Sequence, residues 1–265
     1  EQEIKNFLPT FKGKLCFYHH HLSHAASAFY PSPFECASIL TVDGIGEWAC
    51  SSISIGEGNQ LDLRYEQRFP HSVGLLYSAF TQYIGFKVDS GEYKLMGLAP
   101  YGKPIYVDKI KEHLVKVNSD GSIVLNTDYF DFMVGSRMIS EKFQDLFGGP
   151  AKTTDTPPTQ KEMDIASSIQ CVTEEILIKM VDYAVQKTGI RNLCIAGGVG
   201  LNCVANGKIL RSGLVDNLWI QPASGDSGGA LGAAFLAAHY HYQLPRNSDD
   251  KNDQQKSSLL GIQYT

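Results

Sequence analysis

Twice in its last third the chain runs from a short apolar stretch into a glycine-rich loop and out into a helical pattern. Asn192–Ala196 leads through G-G-V-G-L-N to a helix at Ala205–Ile209. Leu218–Gln221 leads through P-A-S-G-D-S-G-G to a last helix. With the amphipathic pattern before them, these units read helix, strand, loop, helix, strand, loop, helix. That is an α/β layout with nucleotide-sized crevices at its strand ends. Gly197, Gly198 and Gly200 follow a buried strand and precede a helix, so backbone there can approach a ribose or phosphate. Neither a G-x-G-x-x-G fingerprint nor a Walker lysine motif occurs, which excludes Rossmann and P-loop readings. Asn202, at the helix entry, offers an amide to a ribose or base. Asp226, between Gly225 and Ser227 at the start of the last helix, is either an N-cap worth about 1 kcal/mol or a carboxylate poised over the loop.

The first part of the chain carries H-H-H-L-S-H. A short strand is expected at Lys14–Tyr18 and a helix from about His20 to the prolines at 31 and 33. In that helix His20 and His24 stand at i and i+4 and leave one face. Two imidazoles on one face are half of a metal site, or else a solvated turn and a satisfied core histidine. Ala37–Val42, Ala49–Ile55 and Leu61–Phe69 read as an antiparallel meander. The first strand is expected to deliver Asp43 and Gly44 to a loop, where the carboxylate offers an oxygen ligand. D-G-I-G-E there is a phosphate cradle or an ordinary glycine hairpin.

After Pro70 a helix entering through Ser72-Val73-Gly74 exposes N–H groups suited to an anion. S-G-E-Y-K-L-M-G-L-A-P-Y-G-K-P reads as a turn-rich loop, functional or closed by a local Glu92–Lys94 pair. From Ile105 to Pro158 the pattern is weak, with a hairpin at V-N-S-D-G-S-I-V-L-N, as in an insertion or peripheral lobe. Lys161–Thr188 is a long amphipathic helix backing the core. Ile165, Ile169, Val172, Ile176 and Tyr183 keep one face; Lys161, Glu174, Glu175 and Lys179 lie elsewhere, and Gly189 stops it.

A length of 265 residues, 43% of them hydrophobic, suits one large domain or two ordinary ones. A net charge of −5 gives no footprint for nucleic acid. No segment approaches the roughly 18 apolar residues of a membrane span. The six cysteines contain no C-x-x-C pair and read as reduced core residues of a cytoplasmic protein. The opening E-Q-E-I-K-N is neither a signal peptide nor an initiator methionine, so a piece of a longer protein is expected.

Six blocks, in order, carry a resemblance: H-H-H-L-S-H-A-A-S-A-F, L-T-V-D-G-I-G-E, S-V-G-L-L-Y-S-A-F-T, G-E-Y-K-L-M-G-L-A-P-Y-G, A-G-G-V-G-L-N and S-G-D-S-G-G-A-L-G-A-A. Together the chain resembles the NodU/CmcH family of O-carbamoyltransferases, which tailor nodulation factors and antibiotics. The resemblance implies an ASKHA fold (actin, sugar kinase, Hsp70) incomplete at its N-terminus. Residues 1–248 would form it, with 1–36 the remainder of a first lobe. Residues 37–248 would be the second lobe, with an irregular insertion at about 105–158, and 249–265 a linker toward a YrdC-like domain.

It further implies a divalent metal, iron by preference, held by His20, His24, Asp43 and Asp226, with the two carboxylates also catalytic. Carbamoyl adenylate would contact Asp43, Gly74, Gly198, Asn202 and Asp226, and its carbamoyl group would pass to the hydroxyl of a small-molecule acceptor. In the full-length protein ATP and carbamoyl phosphate supply the adenylate on the YrdC-like domain, and an N-terminal segment completes the acceptor pocket. Both are expected to lie outside this stretch, leaving it weakly active or inactive alone. The rival readings are an ASKHA small-molecule kinase, a threonylcarbamoyl transferase and a non-catalytic binding lobe.

Overall fold

The computed structural model describes residues 2–135, 137–153 and 156–261. Helix α1 (Gln2–Phe7) buries no side chain, and the chain reaches α2 (His20–Phe29) without regular structure. The strand expected at Lys14–Tyr18 does not form. A strand needs a ladder partner, and these residues pair with none among the described residues.

The meander is present: β1 (Cys36–Gly46), β2 (Ala49–Glu57) and β3 (Gln60–Arg68) pair antiparallel. β6 (Asn192–Ala196) and β7 (Asn217–Ile220) join parallel on the other side of β1, giving the order β3-β2-β1-β6-β7. The result is a mixed α/β sheet in which β1 is central and buried on both faces. Its period-two pattern divides the core. Leu40 and Val42, with Leu193 and Ile195, face one apolar cluster; Ala37 and Ile39, with Cys194 and Ala196, face the other.

The first cluster is covered by α3 (Val73–Tyr83) and by α7 (Gln160–Thr188), which a Thr159–Glu162 capping box opens and left-handed Gly189 closes. The segment expected to be peripheral also feeds it. α5 (Val107–His113), the hairpin β4 (Val115–Val117) and β5 (Ile123–Leu125), and α6 (Glu141–Leu146) contribute Ile110, Val115, Ile123 and Phe143, whose ring stands 5.1 Å from that of Phe80.

The expected turn-rich loop is instead helix α4 (Glu92–Leu98), followed by a 3₁₀ turn at Ala99–Tyr101. Glu92 does not close on Lys94. Its carboxylate accepts from the backbone N–H groups of Asp89 and Gly91, just before α4, and from Ser78 Oγ of α3, so one side chain holds the turn that leads into the helix and docks it on α3. Glu174, expected off the apolar face of α7, is buried there.

On the opposite face α2 packs against α9 (Asp226–Phe235), which continues as a π-helical turn through His241. The two helices approach closely at Gly232, where a Cβ would lie 1.8 Å from Ser23 O. Residues 250–255 are bonded to the domain: the Asp250 N–H donates to Pro33 O, and Trp219 Nε1 donates to Asp253 Oδ1. Residues 262–265, the end of the expected linker, lie outside the described residues. Among those described, no helix is long and apolar enough to cross a membrane.

Candidate metal centre

Asp43 sits where β1 leaves its ladder. Val42 still pairs with Ser51, but the next pair is Gly46 with Ala49, so residues 43–45 bulge away from β2. The expectation of a loop after Val42 is corrected in this sense: the strand continues, and the irregularity inside it turns the carboxylate outward. The backbone is fixed there by α3. Ser72, the N-cap of that helix, brings Oγ within 3.0 Å of Asp43 O and 2.6 Å of Gly44 O. Gly74 lets the helix press on the same peptide, since a Cβ there would stand 2.6 Å from Asp43 O. The carboxylate is fixed separately. Its Oδ1 accepts from the Gly44 N–H at 2.8 Å and the Gly198 N–H at 3.1 Å, which leaves Oδ2 pointing at α2.

Helical spacing does the rest. His20 Nε2 lies 3.0 Å from Asp43 Oδ2, His24 Nε2 lies 2.9 Å from the same oxygen, and the two ring nitrogens are 2.9 Å apart. The close α2–α9 crossing brings the first residue of α9 to the group, with Asp226 Oδ1 at 3.4 Å from His20 Nε2 and 3.6 Å from His24 Nε2. Asp226 is not the N-cap, which is Gly225, and its side chain is 80% exposed. Among the described residues this is the one group of three or more metal-type side chains, with donor atoms all within 4.8 Å of one another.

The third histidine differs. His21 is buried, with Nε2 3.0 Å from the Ala49 carbonyl and Nδ1 2.6 Å from Thr41 Oγ1. A carbonyl only accepts, so Nε2 carries the proton and Nδ1 accepts from the hydroxyl. Burial lowers its pKa to about 4, against the pull of Asp43. For Asp43 burial works upward, but the bonds to His20 and His24, the charge of His24 and the Gly44 N–H outweigh it and hold the carboxyl well below the usual range. The bond to Asp43 raises His20 in turn, against the effect of burial.

The donor set fits a divalent cation. Three atoms with lone pairs form a triangle of 2.9–3.0 Å edges. A cation about 2.1 Å from each would see them roughly 90° apart, the angle of an octahedral face and smaller than a tetrahedral site needs. Two histidines and one carboxylate on such a face are the donor set of non-haem iron(II) centres. One feature departs from the usual arrangement, in which the second nitrogen of a ligating histidine has a partner: His24 Nδ1 is buried and unpartnered.

Of the other expected site residues, the structure brings Gly74 and Gly198 against Asp43. Asn202 it turns inward, where its side chain caps α8 (Cys203–Arg211) and pairs with Gln170. Sequence reasoning missed Ser72 as a clamp on the Asp43 peptide, and Gly46, where a Cβ would strike the His20 ring at 2.1 Å. Ser72 was legible only as a helix start, and Gly46 only as a turn glycine.

Residues 3–235 match the family described as carbamoyltransferase N-terminus. The uncharacterized protein sll1178 of Synechocystis is 54% identical over 251 residues, covering 95% of this chain and 41% of that one. Nodulation protein NolNO of Sinorhizobium fredii is 36% identical over 228 residues, covering 85% and 32%. The crystal structure of T. kodakarensis HypF aligns with a TM-score of 0.45 and 14% identity, covering 91% of this chain and 39% of that one. The chain thus spans about a third to two-fifths of the length of the curated relatives it matches.

Proposed function

This chain belongs to the carbamoyltransferase N-terminus family, and we propose on that premise that it binds a divalent metal, iron by preference, and carbamoyl adenylate, and passes the carbamoyl group to an acceptor hydroxyl. The observation that carries the reading is the convergence of His20, His24, Asp43 and Asp226 at one end of the sheet, beside a glycine loop and a helix N-terminus. His20, His24 and Asp43 would hold the cation from the protein side, and the exposed Asp226 from the side an acceptor reaches. When bound, the metal supplies Lewis-acid polarisation of the carbamoyl carbonyl or the adenylate phosphate. The N-terminus of α3 and the backbone of Gly197–Leu201 favour the anionic phosphate. In the transfer the acceptor hydroxyl would lose its proton to solvent, its oxygen would bond to the carbamoyl carbon as that carbon's bond to the adenylate phosphate oxygen breaks, and AMP would leave. The finer fold reading, an ASKHA lobe, goes with this function.

The test uses untagged protein, stripped with chelator and reloaded with Fe2+, incubated with carbamoyl adenylate and a panel of hydroxyl compounds. Metal-dependent consumption of the adenylate, lost in His24→Ala, is expected. Failure to retain Fe2+, or consumption indifferent to metal, would overturn the proposal.

A further inference from the structure

Asp43 is held by two elements, α3 on its peptide and the loop at residues 197–202 on its carboxylate. Behind the sheet a single side chain joins the two. Gln170, on α7 and 4% exposed, receives the hydroxyl of Tyr77 from α3 at 2.8 Å. It also meets the Asn202 amide face to face, Nε2 donating to Oδ1 and Oε1 accepting from Nδ2, both at 3.0 Å. Its remaining proton goes to Glu174 Oε1 at 2.9 Å, and the second oxygen of that buried carboxylate takes Lys208. A primary amide has two donors and room for two acceptor bonds, and all four are used. The amide has one stable orientation, because turning it over would set its oxygen against the Glu174 carboxylate. From Asn202 the chain of bonds returns to the site through the loop: the Asn202 N–H donates to Val199 O, and the Gly200 N–H to Gly197 O.

We propose that Gln170 is the positioning residue of the metal centre. It fixes the spacing between α3 and the glycine loop, and through Gly198 the direction in which Asp43 Oδ2 faces the histidines. The inference rests on the reading of His20, His24 and Asp43 as metal ligands. An apolar side chain of the same size would fill the space but leave the Asn202 NH₂ and the Tyr77 hydroxyl without these partners inside the protein, while Asn202 Oδ1 kept the Ala205 N–H. The loop relieves that by turning outward, which pulls its N–H from Asp43.

The experiment titrates Co2+ into chelator-stripped, untagged protein and follows the visible d–d bands, which report ligand geometry. Gln170→Met is expected to weaken Co2+ binding about 10- to 100-fold, the range for a group that orients a ligand, and to change the bands. Tyr77→Phe, which removes one hydroxyl, is expected to weaken it about threefold. Ile176→Ala, equally buried on α7 but outside the network, is expected to lower the melting temperature while Co2+ affinity stays within about twofold. Gln170→Met with wild-type affinity and bands would overturn the proposal, as would Ile176→Ala weakening Co2+ to the same degree. If Gln170→Met does not fold, Tyr77→Phe with unchanged affinity does so alone. The metal reading fails differently, with no site bands in the parent protein or bands indifferent to His24→Ala, and takes this inference with it.

Discussion

On one side of Asp43 lies a polar network in which donors and acceptors are matched: Gln170, Asn202, Tyr77 and Glu174. On the other lies a polar group in which they are not. His20, His24 and Asp226 bring ring nitrogens and a carboxylate oxygen to Asp43 Oδ2 with more lone pairs than protons, and His24 Nδ1 has no partner at all. Buried polar groups are costly when unmatched and rigid when matched. On the reading proposed above, the contrast separates two jobs: the matched network would set positions, and the unmatched group would hold a cation. His21 is the internal control. It shares α2 with the other two, yet both of its nitrogens are partnered.

The contrast is most easily broken at Asp43. In Asp43→Asn the amide oxygen can keep the Gly44 and Gly198 N–H bonds, while a neutral NH₂ replaces the anionic oxygen that faces the histidines. Co2+ affinity by calorimetry is expected to fall by more than the roughly 100-fold that bounds an outer-shell change, with the metal-free melting temperature unchanged or raised. A lower melting temperature with intact Co2+ binding would reverse the two roles.

Next in size is the pH response of His21. Its pKa is about 4 in the folded protein against an ordinary 6.5, so below pH 6.5 the unfolded chain takes up a proton that the folded one refuses. Stability present above that pH is lost as pH falls from 6.5 toward 4, by roughly 3 kcal/mol over the window. Urea unfolding of the parent protein and His21→Gln at pH 7 and pH 4.5 measures it. The stability gap between them should narrow at the lower pH; a constant gap would mean that His21 is not held neutral.

The smallest effect belongs to Asp226. With its side chain 80% exposed and more than 3 Å from both ring nitrogens, Asp226→Asn should weaken Co2+ only about two- to fivefold, by analogy with a solvent-screened pair. It should leave the urea midpoint unmoved. A loss as large as that of Asp43→Asn would place Asp226 among the principal ligands and sharpen the contrast into a four-residue site.

Much of this was legible because it is local. The i, i+4 histidines, the meander, the strand–glycine–helix units and the Gly189 stop all follow from periodicity and turn chemistry within a few residues. What escaped depends on partners far along the chain. Glu174 lies off the apolar face of the α7 helical pattern, and only the structure shows Lys208 and Gln170 covering it. The run after Gly91 reads as loop because its glycines and prolines dominate, whereas Ser78 and the local N–H groups on Glu92 hold the turn that leads into a helix there. The direction of Asp43 depends on a break in pairing between β1 and β2 that no propensity encodes. Asn202 reads from the sequence as an amide for a ribose or base, whereas in the structure its side chain is paired with Gln170 of another helix and the Ala205 N–H.

The parallel pairing of β1 with β6, Ser38 beside Leu193, bears on the order of events during synthesis. Closing so long a loop is entropically expensive and slow relative to the hairpins. The histidines of α2 leave the ribosome well before Gly198, which aims Asp43, and Asp226, at the start of α9. A nascent chain therefore presents the two imidazoles before the carboxylates that complete the group, so on the proposed reading cation capture would follow the closing of the sheet rather than lead it.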